Sequence, residues 1–374
     1  MRFIHTADLH LGKQFNDVSL LDDQEYILGQ ITDIAKRKRA DALIVAGDIY
    51  QRSSPQADAM VLFDRFVSKL SAEGIKVIAI SGNHDSADRI SYLSGLVRDS
   101  GVYMSETYNG TVQNIALNDR YGEVIIWMLP YLRPSQVKKV LPGEKITGCQ
   151  SAMEAVIRSM GLDERKRNVL ICHQFITGSE LSESEEIYAG GLESIDASVF
   201  DSFDYVALGH LHRPQHITRE TLRYAGSPLK YSFSEAPFGK SVTVVDMEEK
   251  GEVKISTEKL IPLREVRTVG GSLKELREMP PTEDYVWVTV TDELVPPDAR
   301  YDLVFQFPNM LRYSVKNAKT KEDIDLSFAK EPEKTDVREL FREFYRFQNN
   351  GVDPGEAHMD LLDDILEKLG GEGE

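Results

Sequence analysis

The sequence predicts an α/β protein, an α+β sandwich of layered β-sheets flanked by helices. Three observations carry that prediction. Short β-branched apolar runs alternate with helical patterns along the chain. The 374 residues suffice for two or three domains with a sizeable core, at 41% hydrophobic and 28% charged residues. Five short polar motifs each follow directly on a strand-like run, as ligand-binding loops do at the rim of an open sheet.

In chain order, Arg2–Ile4 is a short apolar run. Asp22–Lys38 carries Ile27, Ile31, Ile34 and Ala35 at helical spacing. Ala42–Ala46 reads as a buried strand. Ser54-Pro55 is expected to cap a helix whose stripe is Met60, Phe63, Val67 and Leu70. Val77–Ile80, Val124–Leu129, Val169–Cys172 and Tyr205–Leu208 read as further strands. Residues 178–193 are rich in Gly, Ser and Glu and predict a long exposed loop. Tyr224–Lys230 and Ser241–Asp246 continue the β pattern. The first domain is expected to end near residue 263.

A small α/β cap follows over 264–330. Leu273–Met279 reads as helix, Tyr285–Thr291 as strand, Ala299–Phe307 as helix and Leu311–Val315 as strand. Residues 331–374 predict a helical hairpin. Its first helix groups Val337, Leu340, Phe341, Phe344 and Tyr345 on one face. Its second starts at Asp353-Pro354, has Glu356 for a capping box and carries Leu362, Ile365, Leu366 and Leu369. No internal repeat is visible.

Charge and cysteine content narrow the class. The chain holds 61 acids against 44 Lys and Arg, a formal net charge of −17. Its overall field therefore repels nucleic acid, and any attraction must be local, metal-borne or supplied by a partner. Thirteen acids against five bases fall in residues 331–374, so that short segment holds nearly half of the charge. Cys149 and Cys172 are too few for a disulfide framework. No apolar stretch of signal-peptide length precedes the polar His5 and Asp8, and no run is long enough to span a membrane. A cytoplasmic protein is expected.

The motifs are Asp8-Leu9-His10, Gly47-Asp48, Asn83-His84-Asp85, His173 and His210-Leu211-His212. Gly47, Gly82 and Gly209 precede several of them and are expected to permit sharp turns. Asp8, His10, Asp48, Asn83, His173, His210 and His212 form a mixed oxygen and nitrogen donor set, suited to Mn, Fe or Zn and poorly to Mg or Ca. Seven donors suit two ions rather than one, with Asp48 the natural bridge. Two such ions roughly 3.5–4 Å apart polarise a phosphoryl group and activate a water. His84 adjoins Asn83, and adjacent side chains in a turn diverge. It is assigned to transition-state stabilisation or to protonation of the leaving oxygen. A lone histidine at a strand end is usually structural; five such motifs in this order are not explained that way.

The order D-x-H, G-D, G-N-H-D, H, G-H-x-H resembles the calcineurin-like metallophosphoesterase superfamily. Within it, the chain is similar to bacterial nuclease subunits that work with a coiled-coil ATPase. The narrower likeness rests on His5 through Gly12, on Tyr205 through Gln215 (YVALGHLHRPQ) and on Arg223 through Glu235 (RYAGSPLKYSFSE). It extends over essentially the whole chain.

The resemblance implies that Asp8, His10, Asp48 and His212 hold one metal. Asp48, Asn83, His173 and His210 would hold the other, with His84 catalytic and manganese as the metal. It further implies a DNA nuclease acting in repair, recombination and replication, exonucleolytic on duplex ends and endonucleolytic on single strands or hairpins. It also implies a homodimer joined to the ATPase through the C-terminal helices. One position departs from the family. Three residues after the bridging Asp the family often has an acid or histidine, and this chain has Gln51; a supporting partner is then absent or supplied by a residue such as Asp85.

Lys13, Arg52, Arg89 and Arg133 lie near motif loops, in reach of DNA phosphates, although ordinary solvated charge accounts for them equally well. Glu180, Glu183, Glu185 and Glu186 form an acidic run with no function of its own. Two rival functions remain: a nucleotide or protein phosphoesterase with the same chemistry, and a non-catalytic binding module on the same fold. Turnover of a phosphodiester against a phosphomonoester separates the first. Loss of metal ligands would mark the second, and this chain keeps all seven.

Overall fold

A computed structural model describes residues 1–180 and 194–317, with residues 338, 341–342, 345–346, 353–355 and 358–362 beyond them. The chain divides into two units, Met1–Lys316 and Asn317–Glu374.

The first unit is built on two six-stranded sheets. One runs, edge to edge, Val253–Leu260, Lys240–Met247, Arg2–Thr6, Ala42–Ala46, Lys76–Ile80 and Val102–Met104. The other runs Gln215–Ile217, Arg219–Tyr224, Tyr205–Gly209, Arg167–His173, Gly122–Met128 and Gln113–Asp119. Their central strands are parallel: Arg2–Thr6 with Ala42–Ala46 and Lys76–Ile80, and Gly122–Met128 with Arg167–His173 and Tyr205–Gly209.

The sheets stack face to face, and each is covered outside by helices. Ala42, Ile44 and Ala46 point inward to meet Val169, Ile171, Tyr205 and Ala207 of the facing sheet. Leu43 and Val45 alternate outward onto the helices Leu21–Lys38 and Ala57–Ala72. Leu170 and Cys172 likewise pack against the helix Cys149–Ser159. A strand buried on both faces has no polar side, which is why these strands read as unbroken apolar runs.

Several expectations change. The helix expected after Ser54-Pro55 begins at Ala57, and Met60 is half exposed; the buried stripe is Ala59, Leu62, Phe63, Phe66, Val67 and Leu70. The pattern in Tyr224–Lys230 is not a strand: the strand is Arg219–Tyr224, and Gly226 takes φ +77° in the loop that follows. Ala299–Phe307 is helical only over Ala299–Asp302. Val253–Leu260, Gln113–Asp119 and the helix Cys149–Ser159 were not foreseen, since charged residues interrupt the first, asparagines flank the short apolar centre of the second and the third is short.

A three-stranded parallel sheet, Val266–Gly271, Tyr285–Val290 and Met310–Val315, carries its own core of Leu273, Leu276, Val286, Val288, Val290, Leu303 and Phe307. It joins the larger body through the Tyr285 hydroxyl and the Arg264 guanidinium. Both donate to Asp23, at 2.8 and 2.7 Å. Trp287 meets Phe233 edge-on at 5.8 Å.

In the second unit Arg338, Phe341, Arg342, Tyr345, Arg346 and residues 358–362 are helical. Tyr345 stacks against Phe341 at 6.1 Å and against His358 at 4.9 Å, and Arg346 pairs with Asp353. Val337, Leu340, Phe344, Glu356, Ile365, Leu366 and Leu369 lie outside the described residues, as do Glu183, Glu185 and Glu186 of the acidic loop. Among the described residues no helix is long and apolar enough to cross a membrane.

Candidate metal centre

The five motifs do leave strand ends and meet at one rim. Asp8, Asp48 and Asn83 follow three neighbouring strands of the first sheet; His173 ends a strand of the second, and His210 follows the next. The backbone is bent to aim them. Asp8, His10, Asp48 and His210 all take positive φ, at 54°, 45°, 48° and 103°, where non-glycine residues are uncommon. Hydrogen bonds hold the bends: the Asp8 and His10 amides donate to the carbonyls of Gly47 and Asp48, at 3.0 and 2.9 Å. The His210 amide donates to the Asp8 carboxylate at 3.0 Å.

The glycines serve two purposes. Gly47 takes φ +90°, the turn expected of it. Gly82 and Gly209 take no such conformation. A Cβ on Gly82 would collide with the Asp48 side chain, and one on Gly209 with the Ala46 carbonyl, so these glycines let the loops close up.

Donor atoms converge. His10 Nε2 lies 3.0 Å from His212 Nε2. Asn83 Oδ1 lies 3.0 Å from His173 Nε2 and 3.1 Å from His210 Nδ1. One oxygen of Asp48 stands 3.3 Å from His173 Nε2 and 3.7 Å from His10 Nε2, between the two groups. Its other oxygen accepts the His84 amide at 2.9 Å. Three clusters have metal-ligand spacing: Asp8, His10 and His212; Asp8, Asp48 and His173; and His10, Asp48 and His84. The third puts His84 nearer a candidate cation position than adjacency to Asn83 suggested.

Burial sets the electrostatics. It pushes Asp8 up to about 7. Burial also opposes charge on Asp48, but the His173, His10 and His84 rings outweigh it and hold this carboxyl well below the usual range. His173 is desolvated too, yet Asp48 and Asp8 raise it to about 9. Burial lowers His10, and takes His210 down to about 3. Without a metal, protonated His173 supplies the positive charge beside Asp48 while His10 and His210 stay neutral.

Residues 1–214 match the family described as Calcineurin-like phosphoesterase. Residues 262–349 match the family described as Type 5 capsule protein repressor C-terminal domain. The chain is 35% identical over 280 residues to the SbcD subunit of the SbcCD nuclease from Staphylococcus epidermidis, covering 74% of each protein.

The chain belongs to the SbcD family of calcineurin-like phosphoesterases.

Solved structures are more distant. A dimetal phosphatase from Danio rerio is 12% identical, with 70% of this chain and 96% of that one covered and a TM-score of 0.40. A protein from Thermus thermophilus is 10% identical, with 68% and 98% covered and a TM-score of 0.37. Neither likeness adds to the family assignment.

SbcD-family membership implies divalent metals, and the donors present fit them. His173 Nδ1 faces the Ala46 carbonyl at 2.8 Å. A carbonyl only accepts, so Nδ1 carries a proton. Raised to about 9, the ring carries a second proton on Nε2, which donates to the Asn83 oxygen at 3.0 Å; a divalent cation would take that proton's place. On the other side the Nε2 atoms of His10 and His212 lie 3.0 Å apart, where one carries the shared proton unless a cation replaces it.

Three supporting groups were missed or only half seen in the sequence. Asp85 accepts the amides of Ile49, Tyr50 and Gly82 at 2.9–3.0 Å, pinning the Asp48 loop to the Asn83 loop. Gln24, on the helix Leu21–Lys38, donates to the His10 carbonyl at 2.8 Å and accepts the Gly12 amide at 3.0 Å. Nothing in its helical context marked it. Glu235 faces His212 Nδ1 at 3.4 Å and pairs with buried Lys240; only its place in the Arg223–Glu235 segment pointed to it. Gln51 contributes through its backbone, since its carbonyl lies 3.3 Å from His84 Nδ1.

Among the expected phosphate contacts, Lys13 reaches the Gln51 side chain at 3.3 Å. With Arg52 it borders a cavity of about 350 Å³ beside the rim. Arg89 donates to Ser54 at 2.9 Å. Arg133 precedes the helix Pro134–Val140, and its amide donates to Gln136.

Proposed function

We propose that this protein is a two-metal, manganese-dependent DNA nuclease subunit that hydrolyses phosphodiester bonds. It would trim double-stranded ends and cut single strands or hairpins during repair, recombination and replication. The observation that carries the reading is the convergence of ligand atoms at the rim: His173 Nε2 and Asn83 Oδ1 lie 3.0 Å apart, as do His10 Nε2 and His212 Nε2, with one Asp48 oxygen between the two groups. Asp8, His10, Asp48 and His212 hold one ion, and Asp48, Asn83, His173 and His210 hold the other. When bound, the two ions polarise the phosphoryl group and acidify the attacking water. His84, whose Nδ1–H is engaged by the Gln51 carbonyl, would donate from the Nε2–H of its imidazolium form to the leaving oxygen.

The division of labour follows the chain: residues 1–263 cut, 264–330 bind DNA as a cap, and 331–374 dock a coiled-coil ATPase of the SbcC type. The complex is a homodimer of this subunit in the cytoplasm. A net charge of −17 is consistent with a partner supplying most of the DNA attraction. Deleting 331–374 is expected to leave hydrolysis of a model phosphodiester unchanged and to abolish co-purification with the ATPase.

The decisive assay uses duplex DNA labelled at the 5′ or the 3′ end, with manganese or magnesium, with and without the ATPase. Manganese-dependent release of end label supports the reading. Turnover of phosphomonoesters alone, with DNA intact, would replace it by the phosphatase alternative.

A further inference from the structure

Beside the rim, residues 227–240 enclose a polar network that the proposed reaction does not use. Glu235 is 1% exposed and Lys240 5%. The Lys240 ammonium donates to Glu235 Oε2 at 2.5 Å, to Ser227 Oγ at 2.8 Å and to the His212 carbonyl at 2.8 Å, so all three of its protons are placed. Glu235 Oε1 accepts the Tyr231 amide at 3.2 Å and the Ser232 hydroxyl at 3.3 Å. The same oxygen faces His212 Nδ1 at 3.4 Å.

A buried ion pair is a poor way to gain stability, because desolvation of both charges offsets most of their attraction. This one touches a candidate metal ligand from two sides, at its ring and at its backbone. A carboxylate ion-paired to a lysine can only accept, so His212 Nδ1 must donate. The lone pair is thereby left on Nε2, the nitrogen that faces His10.

We propose that Glu235 is the positioning residue of His212: it fixes the ring's tautomer and orientation, while Lys240 keeps Glu235 charged and clamps the His212 backbone. The inference rests on the two-metal reading and adds a residue to it. Carboxylates behind metal-bound histidines act in this way, and losing one typically costs about 10–100-fold in metal affinity.

The alternative role for the pair is to hold residues 227–240 in shape. Two variants of the full chain separate the roles. Glu235→Gln removes the charge and leaves Lys240 buried without its counter-ion. Glu235→Met/Lys240→Met removes both charges together. Manganese binding by calorimetry, thermal melting, and histidine ring ¹⁵N shifts of the metal-free protein are measured for each. Both variants are expected to weaken one of two manganese sites about 10–100-fold. The double variant should melt closer to wild type than Glu235→Gln does, and His212 should lose its fixed Nδ1–H form. A double variant that binds two manganese ions with wild-type affinity would overturn the proposal. Wild-type protein that takes up no manganese would instead sink the two-metal reading, and this inference with it.

Discussion

The rim and the three-stranded cap lie in one unit but follow different rules. At the rim, Asp8, His10, Asp48, His173 and His212 are at most 2% exposed, polar, and partly held at positive φ. In the cap, Leu276, Val286, Val288, Leu303 and Phe307 are as deeply buried and wholly apolar. No described non-glycine residue there takes positive φ. Local preferences and tertiary structure agree in the cap and conflict at the rim. Hydrogen bonds between the loops, and Asp85 and Gln24 behind them, sustain the conflict, and such conflicts cluster where function lies. Substitutions at the rim should therefore change chemistry while the fold survives. Those in the cap core should change stability while chemistry survives.

The largest effect is expected from Asp48→Asn. It keeps the side chain's shape and removes the charge that stands between the two donor groups. Hydrolysis should be lost at saturating manganese with circular dichroism unchanged; normal turnover would break the two-metal assignment. His84→Ala comes next, with an expected slowing of about 10²–10⁴-fold and two metals still bound. Metal analysis of this variant also settles the cluster of His10, Asp48 and His84. One missing ion would make His84 a ligand.

Phe307→Ala tests the other side of the comparison. It empties a site that is 1% exposed and should cost the cap about 3–5 kcal/mol. Trp287 fluorescence in a Trp127→Phe background reports the cap's unfolding. Manganese affinity should not move, and a parallel loss of metal binding would show that the two regions do not obey separate rules.

The smallest effect concerns His5, between the sheets. Its Nδ1 lies 2.9 Å from the Tyr205 hydroxyl, Nε2 is buried with no hydrogen-bond partner, and burial lowers its pKa from 6.5 to about 3. The folded state keeps the ring neutral while the unfolded state protonates it below about 6.5. The full contribution is therefore present above that value. It declines as pH falls toward 3, by up to about 1.4 kcal/mol per pH unit. Denaturant melts of wild type and His5→Gln between pH 7 and pH 4 should show the wild type losing stability faster. Parallel curves would mean that His5 gains a proton in the fold.

The central strands and all seven candidate ligands were legible in the sequence, because apolar runs mark doubly buried strands and each motif begins where a run ends. Ala42–Ala46 followed by Gly47-Asp48 is an instance in which the chemistry needs no tertiary information to be suspected. The edge strand Val253–Leu260 was less legible, since Lys254, Glu258 and Lys259 break up its apolar residues. The helix after Ser54-Pro55 was misplaced at its start because proline and serine signal a helix N-terminus without saying which following residue turns first.

What the sequence determined by itself was the fold class and the kind of chemistry its candidate donor set permits, since each follows from residue type and short-range spacing. What only the tertiary structure decided was which donors face one another, why Gly82 and Gly209 must lack a side chain, and that Gln24, Asp85 and Glu235 stand behind the site. Those facts depend on contacts between residues as far apart as His10 and His212. Such contacts exist only once the two sheets have stacked, and no local pattern records them.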